Sequence, residues 1–327
     1  MSSAPSAAAA AQLAALTSAI KELFATTFIG FTVATTLYGV SILQCFLYFR
    51  KYRDRLALKT MVAVLWILDT LTTIFVAHSL FLFVFGLLNK KVDVNIPWSF
   101  TAEKLLVTII TFIAQCFYAH TIWKVSRNRI ITVFISVLAV GTFALGIYTT
   151  VHLFQNAALN SISTRSFLIV SGLVQGLAAL NDIVITGSLS YYLHIKRSSL
   201  PSSEKLIDTL IIYAVSRGVL TAVAQIMFLV LNVAMPHHQY WLPFHMAVGK
   251  LYVNSVLATL NVRQSLSQTE IILGPGISTR GNNAHMSEGD QTATKPITFA
   301  AVRGASSVST TVGTFSRGSV VPDVEQG

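Results

Sequence analysis

Seven uninterrupted apolar segments, each longer than the ~20 residues that carry a helix across ~30 Å of hydrocarbon, constrain this chain more than anything else in its sequence. They run at about 28–49, 58–88, 100–123, 130–153, 166–194, 206–234 and 241–262. Runs of this length exceed what a water-soluble helix tolerates, because unpaired backbone groups and charges are both excluded from lipid. The composition agrees: 53% of the residues are hydrophobic and only 11% charged, against about 25% charged in a soluble domain. The expected fold is all-α, a multi-pass transmembrane bundle of seven helices.

Charge placement predicts the orientation. The excess of +10 invites a nucleic-acid reading, but residues 1–262 hold 18 Lys/Arg against 8 Asp/Glu and residues 263–327 hold 5 of each. The excess sits in short loops, as the positive-inside bias produces, and gives no soluble basic face for nucleic acid. Loops one, three and five carry ten Lys/Arg, including Arg50, Lys124 and Lys196, whereas loops two, four and six carry three. This places those basic loops and the C-terminus in the cytoplasm and the N-terminus outside. Residues 1–26 form a polar, Ala-rich segment with no basic region of a cleaved signal peptide. Residues 264–327 read as a disordered Ser/Thr/Gly-rich tail with too little apolar surface to fold alone. Cys45 and Cys116 lie inside apolar segments and read as reduced thiols.

Four ionisable residues stand far from the ends of their helices: Asp69, Asp182, Arg217 and Lys250. A charge at the bilayer centre costs ~2.5–3.5 kcal/mol on insertion scales, so such residues face the interior and pair. Two acids and two bases suit one neutral internal network. Helical spacing places Tyr213 and Arg217, with Thr221 and Gln225, on one face of span six, Gln175 with Asp182 on span five, and Lys250 with Asn254 on span seven. Asp69, Asp182, Arg217, Lys250, Asn254, Gln175 and Tyr213 are therefore the candidate ligand-binding residues, or else interhelical hydrogen bonds that pin the bundle. Gly172-Leu173-Val174-Gln175-Gly176 reads as a close-packing site within the bundle. Glu103 and Lys104 open span three, where both are expected to snorkel to water. No His-Glu-x-x-His, Gly-x-Ser-x-Gly or Gly-rich phosphate loop occurs, so no catalytic residue, metal or cofactor is assigned and the chain is read as a non-enzyme.

Several blocks resemble one family. They are Leu68-Asp69-Thr70, Ile96-Pro97-Trp98, Gln115 with Trp123, Asp182, and Gly249-Lys250-Leu251-Tyr252-Val253-Asn254-Ser255 continuing to Leu260-Asn261-Val262-Arg263. Together they are similar to fungal, chiefly mushroom-type, seven-helix membrane proteins of unknown function. The resemblance implies a multi-pass membrane protein and carries over no functional residue. The lysine of span seven is similar to the retinal-binding lysine of rhodopsins, but the paired aspartates of span three in microbial rhodopsins are missing. The topology also resembles that of G-protein-coupled receptors, without an Asp/Glu-Arg-Tyr after span three or an Asn-Pro-x-x-Tyr in span seven. The leading expectation is a receptor-like sensor of a small molecule that enters from outside, with a cytoplasmic partner at loops one, three and five and the tail. A transporter or channel using the charges as a substrate or proton relay is the alternative, and a ligand-free structural membrane protein the third. The bilayer is the one sure partner, in the plasma membrane or an endomembrane.

Overall fold

A computed structural model describes residues 7–52, 54–88, 95–158, 161–162, 164–197, 204–235 and 238–273. They form seven helices: α1 (Ala7–Lys51), α2 (Leu56–Leu88), α3 (Trp98–Ser126), α4 (Arg129–Gln155), α5 (Arg165–Arg197), α6 (Glu204–Ala234) and α7 (Leu242–Leu273). Among the described residues the only strand-like pairing is one bridge, Asn95 with Ala158. It ties the α2–α3 connection to the α4–α5 connection, with Ile96 N–H donating to Ala157 O.

The five inner helices follow the apolar segments closely, and local chemistry sets their ends. Arg127 takes a left-handed backbone (φ 55°) and its N–H caps Trp123 O, a helix-ending conformation. The Asn128 side chain then accepts from Ile130 N–H and Ile131 N–H, so α4 starts one residue later on an N-cap of the preferred kind.

Both outer helices run past the expected boundaries. α1 begins at Ala7, so residues 7–26, expected as a separate segment, continue the first span as one 45-residue helix. Ile20 and Leu23 on that extension are buried, and the Glu22 carboxylate accepts from Gln239 N–H at the α6–α7 connection. Apolar residues spaced along one face of an otherwise polar stretch supplied this packing. At the other end α7 continues to Leu273, eleven residues beyond Val262. The rest of the expected tail lies outside the described residues.

The helices close into a ring. Each packs on its chain neighbours, α7 returns to α1, and α3 and α7 add cross-contacts: α3 to α5 and α7, α7 to α2. α1 and α7 run parallel at constant register. Gln239 meets Glu22, Asn254 Nδ2 donates to Leu37 O and Asn261 Nδ2 donates to Gln44 O, all at the same sequence offset. Asn254 and Asn261 are one heptad apart, as are their acceptors, so two amide staples repeat along a parallel seam as in a coiled coil. Tyr52 O–H adds a further bond to Asn261 O.

Six of the helices, α1 to α6, hold stretches long and apolar enough to cross a membrane; α7 does not meet that standard by composition. Burial explains the difference. No side chain from Trp241 to Val262 is fully exposed; most are buried and a few, such as Leu251 and Asn254, are half-buried. This stretch of α7 is therefore largely covered by its neighbours and can carry polar residues. The helices around it carry the apolar exterior, for example Phe28, Ile130, Val133, Ile183 and Val219.

Small residues set the closest approaches. Gly172 of the Gly-xxx-Gly pattern faces Leu229 of α6, so this stripe serves packing inside the bundle. The tightest contact is at Gly218 on α6, where an added Cβ would lie 1.8 Å from Thr186 Oγ1 and 2.7 Å from its Cβ on α5. Gly218→Ala is therefore expected to destabilise by about 1–3 kcal/mol through overpacking, with part restored by Thr186→Ala. Thermal unfolding in detergent reads both.

Candidate functional site

The four intramembrane charges form two separate ion pairs on opposite sides of α7, not the single network expected. Lys250 and Tyr252 are two residues apart, which turns their side chains about 200° from one another around the helix. Lys250 points to α1 and α2. Its Nζ lies 2.7 Å from Asp69 Oδ1, with the two side chains 4% and 0% exposed. The same ammonium donates to Asp69 O (2.6 Å), Thr72 Oγ1 (2.9 Å) and Thr73 Oγ1 (2.6 Å). Those two hydroxyls in turn donate to Asp69 O, which leaves their lone pairs for Lys250. The Tyr38 ring on α1 covers Nζ at 4.9 Å. Every donor of the ammonium is thereby matched, which is what makes its burial affordable in lipid.

Tyr252 points the other way, to α5 and α6. Arg217 Nη2 donates to Asp182 Oδ1 at 3.0 Å, and Tyr252 O–H donates to Asp182 Oδ2 at 2.8 Å. Gln225 Nε2 donates to the Tyr252 hydroxyl at 2.7 Å. The guanidinium stacks 3.7 Å above the Tyr118 ring of α3, a close cation–π contact. Tyr118 O–H reaches Ser255 Oγ at 3.2 Å. One charge pair thus joins α3, α5, α6 and α7.

A third polar group lies toward the α3 N-terminus. Glu103 and Lys104, expected to snorkel, are instead buried at 2% and 8% exposure. Glu103 pairs with His245 of α7 at 3.4 Å, and Lys104 lies 5.9 Å from the Phe167 ring of α5. The reason is the position of α3 at the bundle centre, where α5 and α7 cover its first turns. Beside them is a cavity of about 30 Å³ lined by Gln115, Gln175 and Gln225 from three helices, with Lys104 and His245. Both amide atoms of Gln115 and Oε1 of Gln225 find no protein partner among the described residues. The volume and these groups suit one or two ordered waters.

A larger space opens on the flank. A cleft of about 270 Å³ lies over α7 between α1 and α6. Arg217, Asn254, Gln44 and Tyr213 line it together with Leu37, Val40, Leu220 and Leu251.

Of the candidate residues, Arg217 and Asn254 border the cleft, Gln175 borders the small cavity, and Asp69, Asp182 and Lys250 border neither. Tyr213 departs from the expected inward seam. It is 43% exposed and stands on the outer wall of α6 at the cleft, because it precedes Arg217 by a full turn and the bundle does not close over that turn. Sequence spacing missed Tyr118, Tyr252 and Thr72. The signal was present in α7, where Tyr252, Ser255 and Thr259 recur on the face opposite Lys250 and Asn254. Two histidines toward the same end of the bundle pair with carboxylates, His245 with Glu103 and His238 with Glu22.

Residues 178–265, from mid-α5 through α6 and into α7, match a family model. It is a family of unknown function, DUF6534. No curated protein and no solved structure matches the chain. The matched segment, roughly a quarter of the chain, holds Asp182, Arg217, Tyr252 and Lys250.

Removing one partner of a sealed pair strands the other. Lys250→Met alone is expected to cost about 3–5 kcal/mol, and the double change Asp69→Leu/Lys250→Met to recover most of it. A double-mutant cycle on unfolding in detergent reads the coupling; equal stability of the single variant and the parent would contradict the pairing.

Proposed function

We propose that this membrane protein is a receptor-like sensor whose ligand site is the α1/α6/α7 cleft beside Arg217. The observation that carries the reading is the double placement of Arg217. One side of its guanidinium holds Asp182 of α5 at 3.0 Å, while the residue also lines the cleft. A ligand that bonds to Arg217 competes with, or tightens, the contacts that hold α6 to α5 and α7, and so biases their packing. The sealed state of both ion pairs weighs against a relay in which they carry a proton or substrate across, and the chain shows no internal repeat of the kind common in transporters. Access would be from the flank, in place of the route from outside expected from the sequence, because Lys250 and Asp182 are closed off by packing. With the N-terminus outside, the basic ends of α1, α3 and α5 and the C-terminal end of α7 would face a cytoplasmic partner. The fungal source and the choice between plasma membrane and endomembrane belong to this same reading.

The test is movement without flux. Spin labels at Val133 of α4 and Val219 of α6, both exposed, report the distance between those helices in nanodiscs. Addition of a total membrane-lipid extract is expected to shift that distance, while vesicles holding the protein accumulate no component of the extract. Accumulation that is lost in Asp69→Asn or Lys250→Ala, with the label distance unmoved, would sink the sensor reading and favour the relay. No movement and no flux would leave a structural role.

A further inference from the structure

We infer that the α1/α6/α7 cleft binds an uncharged, hydroxyl-bearing membrane lipid, taken up sideways from the bilayer. The inference rests on reading the cleft as the ligand site but not on any signal passing from it. The opening is lateral: α1 packs on α2 and α7, α6 packs on α5 and α7, and the gap between them exposes Val40, Leu220 and Tyr213 on an apolar flank. At about 270 Å³ the space is many times the cavity of about 30 Å³ that suits one or two waters. Walls of Leu37, Val40, Leu220 and Leu251 give the waters needed to fill it too few partners, so hydrocarbon fills the space better. The volume falls just below the usual ligand-pocket range of about 300–1,000 Å³, which fits a lipid partly inserted and partly left in the bilayer.

The head group follows from the polar atoms. Arg217 Nε, Asn254 Oδ1 and Gln44 Oε1 are buried and have no hydrogen-bond partner among the described residues, and all three residues line the cleft. Arg217 itself is 6% exposed. The Asn254 amide cannot be turned around at no cost, because its Nδ2 donates to Leu37 O and Lys250 O. The polar atoms with a fixed sense are therefore one donor, Arg217 Nε, and one acceptor, Asn254 Oδ1, while the Gln44 amide can turn either end inward. A hydroxyl both accepts from Arg217 Nε and donates to Asn254 Oδ1. A carboxylate or phosphate has no proton for Asn254 Oδ1, and the Arg217 charge is already balanced by Asp182. A cationic head would meet that guanidinium with no further acid lining the cleft.

The experiment uses the full chain in phosphatidylcholine nanodiscs and four clickable diazirine probes: a sterol, a monoacylglycerol, a fatty acid and a headless alkane. Labelled peptides are mapped by mass spectrometry. At least one hydroxyl probe is expected to label residues 37–44 and 251–258 about tenfold above the alkane and the fatty acid, the weight of a hydrogen bond. Which of the two does so identifies the source of the hydroxyl. Leu220→Trp, at a position 57% exposed, fills the cleft from its rim without touching either ion pair and should lower labelling to the alkane level at unchanged thermal stability. Equal labelling by the alkane, stronger labelling by the fatty acid, or undiminished labelling of a folded Leu220→Trp protein would each overturn the inference. A fatty acid that labels the cleft and moves α6 removes this ligand class while leaving the sensor reading. A hydroxyl probe that labels the cleft and moves nothing does the reverse.

Discussion

A cation in the middle of α7 is the constraint to which the rest of the bundle answers. An ammonium in hydrocarbon is costly on its own, and Lys250 can neither snorkel to an end nor find water. It must meet a carboxylate and enough oxygen atoms to occupy its three donors, and α2 supplies all of them within two helical turns: Asp69, Thr72 and Thr73. That contact draws α7 against α2 and leaves its opposite face, with Tyr252, Ser255 and Thr259, to be satisfied by α3, α5 and α6. The result is a seventh helix with no exposed side chain between Trp241 and Val262. A helix enclosed in this way is free of the requirement to be apolar, which is why it alone falls short as a membrane span by composition.

The two ion pairs do different architectural work. Lys250–Asp69 links the first part of the bundle to the last, together with the asparagine staples from α7 to α1. Arg217–Asp182, with Tyr252 and Tyr118, fastens the helices on the other side. Both pairs are neutral as units and sealed, so neither offers a free charge to a ligand or a path for an ion. On the proposed reading, binding chemistry falls to atoms one step removed from them: the unpaired Nε of Arg217 and the Oδ1 of Asn254. Residues that hold the fold together thereby also border the space between α1 and α6.

Much of this was legible in the sequence, and for identifiable reasons. Helix number and placement followed from apolar run length, since lipid permits few alternatives to a helix. The inward direction of Asp69, Asp182, Arg217 and Lys250 followed from the cost of a charge in hydrocarbon. Their division into two pairs did not, because spacing within one helix says which residues share a face but not which helix that face meets. Glu103 and Lys104 illustrate the same limit. Near the start of a peripheral helix they would reach water; on the central helix α3 they are covered by α5 and α7. Tyr213 is the converse, a residue on a nominally inward stripe where the bundle leaves a gap.

By itself, then, the sequence determined an all-helical membrane protein with buried charges that must be matched, because hydrophobic length and desolvation are properties of each segment alone. The tertiary structure decided which acid meets which base, that α7 is enclosed and α1 runs parallel to it, and where space remains for a ligand. Those outcomes depend on the order and angle in which helices pack, and packing is set by contacts between segments that no single segment encodes.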